Sequence, residues 1–301
     1  MEHIDIDALV AAHGFAGAYY LEPLPLETVW AAQYCARPKH TEALCLDPKA
    51  AYPRANSIVL LVQAYVPFRP ETGLPGYYIA SNWGYHAANA LVSELRKQGH
   101  MAERLEVPLS ALVTQAGIGR LLKNALIDIP PYGTRTALFT FVSDILPRTY
   151  NAPPPPACHA CDICAKACPM GAISTDTGLC APRCIRTHME KEPPAAQFIP
   201  LLPGLLGCEL CQAACPRNAH IGTREASEHE RAAFDLHRLL AGDIADAKAL
   251  VGKNMCTGGR LTAHAAALLA RSGYMPDEET CAALHAHASP LVRAFASTLF
   301  E

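Results

Sequence analysis

The placement of cysteine constrains this chain more than any other feature. Nine of its 13 cysteines fall between Cys158 and Cys215, and the first four read Cys158-x2-Cys161-x2-Cys164-x3-Cys168-Pro169. Three thiolates spaced three positions apart on a tight loop reach three corners of one [4Fe-4S] cube. The fourth, followed by a proline that turns the chain away, points to a neighbouring cube. Such a run predicts a second, and Cys208-x2-Cys211-x3-Cys215-Pro216 supplies it one ligand short, because Leu205 stands where a full copy would begin. The missing thiolate must come from elsewhere, and Cys180 and Cys184 in the connection are the candidates. Cluster one is therefore expected on Cys158, Cys161, Cys164 and Cys215, and cluster two on Cys168, Cys208, Cys211 and either Cys184 or Cys180. Structural zinc, the other reading of C-x2-C pairs, needs two pairs per ion and leaves the repeated x3-Cys-Pro ending unexplained.

Composition narrows the setting. An odd number of cysteines argues against a disulfide framework, and the acidic opening Met1-Glu2-His3-Ile4-Asp5 lacks the basic start of an export signal, so a reducing, cytoplasmic setting is expected. The most apolar windows, Ser57 to Phe68 and Ala137 to Leu146, are shorter than the roughly 20 residues a membrane helix needs. Net charge is -3, and residues 217–301 carry nine basic against ten acidic side chains. Phosphate contacts rest on clustered Lys and Arg, so this balance speaks against tRNA as a partner.

The cysteine-rich middle is set off by Pro153-Pro154-Pro155-Pro156, a stiff extended entrance. We expect an α/β cofactor and substrate domain over 1–150, a ferredoxin-like double-cluster domain over 151–222 and a helical segment over 223–301. In the first part, Ser57 to Val66 and Ala137 to Ile145 are continuous aliphatic runs of the kind seen in strands buried on both faces. Asp5 to His13 and Tyr85 to Lys97 have helical spacing, each followed by a glycine. The last part predicts helices over Glu228 to Leu240, Ile244 to Val251, Arg260 to Ser272, Asp277 to His287 and Pro290 to Phe300. Gly117-Ile118-Gly119 and Tyr132-Gly133 would let backbone approach a flat macrocycle. No strand-to-helix Gly-x-Gly-x-x-Gly supports a dinucleotide site.

Residues 151–220 resemble the double-cluster domain of epoxyqueuosine reductase, a cobalamin-dependent tRNA-modifying family related to reductive dehalogenases. In that family a lone cysteine follows an arginine between the two runs. Arg183-Cys184 matches it, so the resemblance favours Cys184 over Cys180. Outside the cluster region, Tyr52-Pro53-Arg54-Ala55-Asn56-Ser57 is similar to the segment entering the family's first strand, and Tyr85-His86 to a Tyr-His pair opening a helix. Ala116-Gly117-Ile118-Gly119, Lys123 and Gly133 are similar to a cofactor-side glycine-rich segment, and Ser289-Pro290-Leu291-Val292-Arg293-Ala294 to a C-terminal HEAT-type repeat. The family's Gly-Trp-x-Gly-Lys-His is here Gly119-Arg120-Leu121-Leu122-Lys123-Asn124, and only Glu106 stands near the place of its catalytic Asp.

The resemblance implies two [4Fe-4S] clusters fed by a donor such as ferredoxin or flavodoxin. It implies a cobalamin contacted by Tyr85, His86, Gly117, Gly119, Lys123, Tyr132 and Gly133, with Glu106 at the catalytic position. A small molecule or the corrinoid itself is the expected substrate. The alternative is a non-catalytic electron-transfer adaptor docking a redox partner protein, and the third reading is tRNA epoxyqueuosine reductase itself.

Overall fold

The computed structural model describes residues 5–26, 44–151, 153, 155–156, 158, 161–190 and 196–300. Cys35 and Pro154 lie outside them. The first half runs α1 (Ile6–Ala12), β1 (Gly17–Leu21), α2 (Pro48–Ala51), β2 (Ser57–Ala64), α3 (Gly76–Lys97), β3 (Ala102–Arg104), α4 (Leu109–Gln115), the two-residue strands β4 (Arg120–Leu121) and β5 (Ile127–Asp128), and β6 (Thr136–Ser143).

The two aliphatic runs become the central strands. β2 and β6 pair antiparallel from Ser57 opposite Ser143 to Ala64 opposite Thr136, and the sheet order is β1-β2-β6-β3. Every neighbouring pair in this sheet is antiparallel. The sequence therefore indicates a mixed α and β fold correctly, while a buried aliphatic strand does not by itself mean parallel pairing. Ile58, Val59, Leu60, Leu61 and Val62 are fully buried because both faces of the sheet are covered. Val59, Leu61, Phe139 and Phe141 pack with Val10 and with Ala88, Leu91, Val92 and Leu95 of α3. Ile58, Leu60, Val62 and Val142 pack on the opposite face with Leu105, Val107, Leu112, Val113, Ile118 and Ile129. The two-residue period of a strand sends alternate side chains to these two cores.

The helix expected from Tyr85 begins at Gly76, so Tyr85 and His86 lie mid-helix rather than at its opening. Residues 76–84 include two glycines, an Asn and two tyrosines, a composition with weak helical propensity. Packing decides instead. Tyr78 enters a core with Leu205, Leu206, Phe234 and Leu239, and Gly84 is backed directly by the Phe139 ring, where a β-carbon would clash.

The cluster region holds short elements: α5 (Ile163–Lys166), a hairpin of β7 (Ile173–Ser174) and β8 (Gly178–Leu179), α6 (Ile185–Glu190) and α7 (Leu210–Ala213). The remaining helices are α8 (Glu228–Ala233), α9 (Leu236–Leu240), α10 (Ala245–Val251), α11 (Arg260–Arg271), α12 (Glu278–His285) and α13 (Pro290–Leu299). The single helix expected over Glu228 to Leu240 is split, because Asp235 leaves the helical region and caps α9 by accepting from the Arg238 amide at 2.9 Å. α11 packs between α9 and α13, burying Phe295 against its alanine face. No helix among the described residues is long and apolar enough to cross a membrane.

Candidate functional site

Two similar loops face each other in the middle of the molecule. In one, Cys161 precedes α5, Cys164 lies within it and Cys168 follows. In the other, Cys208 precedes α7, Cys211 lies within it and Cys215 follows. The two short helices touch. Cys184 ends the 3-10 turn Ala181–Arg183 that leads into α6.

The thiols gather across the runs. Burial raises Cys164, and the thiols of Cys215, Cys158 and Cys161 add to the effect, so these four lie within electrostatic reach of one another. Burial also raises Cys184, with Cys168 adding to it. Cys208 is pushed up to about 11 by burial and then by Cys184 and Cys168. Cys211 is pushed up to about 12 by burial, then by Cys208 and Cys184, with smaller contributions from Cys164 and Cys168. That last contact places the two groups side by side. Cys180 sits at the start of the 3-10 turn, where its amide donates to the Ala172 carbonyl at 2.8 Å.

Partly buried thiols grouped this closely hold their protons until a bound cation offsets both the burial and their mutual repulsion. Among the described residues, no three His, Cys, Asp or Glu side chains close on a point that would hold a single metal ion. A cube suits such a set, since each thiolate binds a different iron, whereas one zinc draws all its sulfurs to about 2.3 Å from a common centre. The grouped thiols are a donor set suited to iron-sulfur chemistry.

Polar contacts fasten both loops to the sheet-bearing half. Lys123 Nζ donates to the Cys161 carbonyl at 3.2 Å. Asn218, just after Cys215, accepts from the Thr134 amide at 2.9 Å and donates to Thr134 Oγ1 at 2.9 Å and to the Gln212 carbonyl at 2.8 Å. Arg217 lies 3.4 Å from the buried carboxylate of Asp128, whose pKa burial raises despite that partner. Arg135, almost fully buried, pairs with Glu209 between Cys208 and Cys211.

No protein-family model matches the chain. A curated epoxyqueuosine reductase of Bacillus subtilis (strain 168) is 31% identical over 194 residues, 58% of this chain and 50% of that protein. Another, from Shewanella oneidensis, is 34% identical over 135 residues, 42% of this chain and 32% of that protein. Among solved structures, a selenomethionine-labelled epoxyqueuosine reductase superposes with a TM-score of 0.73 at 20% identity, covering 97% of this chain and 88% of that one. The chain is epoxyqueuosine reductase-like. Its match to the first of these curated relatives spans about half of that protein's length. A further solved epoxyqueuosine reductase, TM-score 0.71 at 20% identity over 97% of this chain and 88% of that one, carries a tRNA-Tyr epoxyqueuosine-modified stem loop.

Within this epoxyqueuosine reductase-like fold, the residues expected around a corrinoid come from two separate parts of the chain, α3 and the segment between α4 and β6. Tyr85 and His86 are exposed on α3, with the Arg104 guanidinium 5.8 Å from the Tyr85 ring centre. Gly117, Gly119, Lys123, Tyr132 and Gly133 lie between α4 and β6, a segment whose Ile118, Ile129 and Tyr132 join the core on the other face of the sheet, while Lys123 and Gly133 meet the cysteine-bearing loops. Gly117 (φ +70°) has open space around it, but a β-carbon at Gly119 would meet Val113, Asp128 and Ile129, and one at Gly133 (φ +59°) would meet Asn218. Those two glycines serve packing within the protein. Tyr132 donates its hydroxyl proton to the Ala16 carbonyl at 2.8 Å. Glu106 is exposed between β3 and α4, its carbonyl accepting from the Cys45 amide at 2.8 Å.

Sequence reasoning missed Arg135, Glu209, Asp128, Arg217 and Asn218. The one available signal was the placement of Glu209, Arg217 and Asn218 within or just after the second run. Nothing local announces their partners.

Proposed function

We propose that the chain is an iron-sulfur reductase holding two [4Fe-4S] clusters, one on Cys158, Cys161, Cys164 and Cys215 and one on Cys168, Cys184, Cys208 and Cys211. Single electrons pass from a ferredoxin or flavodoxin to an acceptor, a corrinoid or a small organic substrate, held by the residues before about 150. The cross-run grouping of the thiols carries this reading, since adjoining cubes that borrow each other's last cysteine form a continuous path for charge. Bound there, the clusters would supply one-electron reduction at low potential. The chain's own residues present eight thiolates, hold Cys208 and Cys211 partly buried, and tie Cys161 to Lys123. The division at about 150 and 222, a HEAT-type final segment and a cytoplasmic location belong to the same reading.

The residues that resemblance assigns to a corrinoid come from separate elements, α3 and the segment between α4 and β6, and whether they hold one is read from bound cobalt. Metal analysis of anaerobically purified protein decides the matter. About eight irons per chain with stoichiometric cobalt is the expected result for a corrinoid reductase. Iron at that level without cobalt, and without turnover of small molecules, identifies the electron-transfer adaptor. Zinc in place of iron, or disulfides, overturns both.

The solved relative bearing a tRNA stem loop favours a second reading, tRNA epoxyqueuosine reductase. Conversion of epoxyqueuosine-containing tRNA by cluster-loaded protein under strong reductant would establish it, and unchanged tRNA would remove it.

A further inference from the structure

The Cys208–Cys211 loop is held by its one acidic residue. Glu209 precedes α7, and three elements of the sheet-bearing half converge on its carboxylate. Arg135, immediately before β6, forms the ion pair. Tyr65, immediately after β2, places its hydroxyl 3.3 Å from Glu209 Oε1 and 3.3 Å from Gln212 Oε1. The Tyr77 amide in the first turn of α3 donates to Glu209 Oε1 at 3.3 Å. The Arg135 side chain is only 4% exposed and that of Glu209 27%. A guanidinium so buried is tolerated only with a partner, so this pair is part of the architecture rather than surface decoration. Arg135, Glu209 and Cys208 also line one pocket, together with Tyr77, Tyr78 and Arg186.

We propose that the Arg135–Glu209 pair is a positioning device for cluster two, fixing the Cys208–Cys211 loop to the sheet and placing beside the cluster bound there two opposed charges whose balance holds its reduction potential in place. This rests on the two-cluster reading above. Reduction adds one negative charge to a cube already negative through its four thiolates. A buried cation nearby favours the reduced form and a buried anion the oxidised form. The two members of the pair therefore act on the potential with opposite sign, and together nearly cancel. A scaffold role alone would not produce opposite signs.

The test compares wild type, Arg135→Gln, Glu209→Gln and the double variant, purified anaerobically, by iron content and by potentiometric titration followed by electron paramagnetic resonance. One cluster's midpoint is expected to fall in Arg135→Gln and rise in Glu209→Gln, and to return toward wild type in the double variant. The other cluster's midpoint stays in place throughout. Unchanged midpoints, shifts of the same sign, or equal movement of both clusters overturn the proposal. Should Arg135→Gln lose its iron, Arg135→Lys carries the test. Its retained charge is expected to leave the midpoint near wild type, and a fall as its geometry changes would show that charge is not what matters. Wild-type protein without two titrating clusters defeats the two-cluster reading itself, a failure visible before any variant is made.

Discussion

Among single residues, the most consequential choice lies between Cys184 and Cys180. Spacing leaves them equivalent, since both fall in the connection between the two runs. The fold favours the one that resemblance suggests: Cys184 lies within electrostatic reach of Cys168, Cys208 and Cys211, and the Cys180 amide is bonded to the Ala172 carbonyl beside the β7–β8 hairpin. Cys184→Ala is expected to lose about half the iron, or to leave a three-iron cluster, whereas Cys180→Ala should retain wild-type iron. Iron analysis and the resonance spectrum of the oxidised protein check this, and equal losses in both variants would refute the assignment. Glu106 illustrates the opposite case. Its position in the sequence suggested a catalytic carboxylate, and the structure places it exposed in the link between β3 and α4.

Elements in the C-terminal part show how local chemistry sets boundaries. α8 begins with a capping box: Ser227 Oγ accepts from the Glu230 amide at 3.2 Å, and Glu230 accepts from the Ser227 amide at 2.8 Å. Arg224 grips the same carboxylate with two nitrogens, at 2.6 and 2.8 Å. The Arg224 hydrogen bond, opposed by burial and reinforced by Ser227, holds the Glu230 pKa down at about 2 against an ordinary 4.5. A depressed carboxylate stabilises the fold fully above its unfolded pKa and loses that contribution as pH falls through the folded value. Wild type should therefore exceed Glu230→Gln in stability by about 3 kcal/mol above pH 5, and the gap should close between about pH 4.5 and 2. Denaturant unfolding of both proteins across that range checks it, the difference cancelling acid effects common to both. A gap independent of pH would mean that packing, not charge, makes Glu230 matter.

At the scale of the whole molecule, the question is how the thiol-bearing loops are held to the sheet. Three contacts lie close together along residues 128–135: Asp128 with Arg217, Thr134 with Asn218, and Arg135 with Glu209. Gly133 has a left-handed backbone and no side chain where Asn218 presses in, so the two parts approach at van der Waals contact. Asn218→Ala would strand the buried Thr134 amide and the Gln212 carbonyl, at a cost of about 2–4 kcal/mol. A lowered denaturant midpoint with an unchanged slope is the expected signature, and an unchanged midpoint would show that water replaces the side chain.

The sequence by itself determined the chemistry and the grammar of the chain. The spacing of cysteines announced the two loops. The aliphatic runs announced β2 and β6, and the helical periods most of the C-terminal helices. These are local signals, written in neighbouring residues. Only the tertiary structure decided that the sheet is antiparallel and that α3 starts at Gly76. Only it decided that Tyr85 and His86 stand exposed on α3 while Gly133 packs on Asn218, and that Arg135 meets Glu209. Those outcomes depend on which distant surfaces exclude water from one another, and a buried charge finds its partner only once the chain has closed around both.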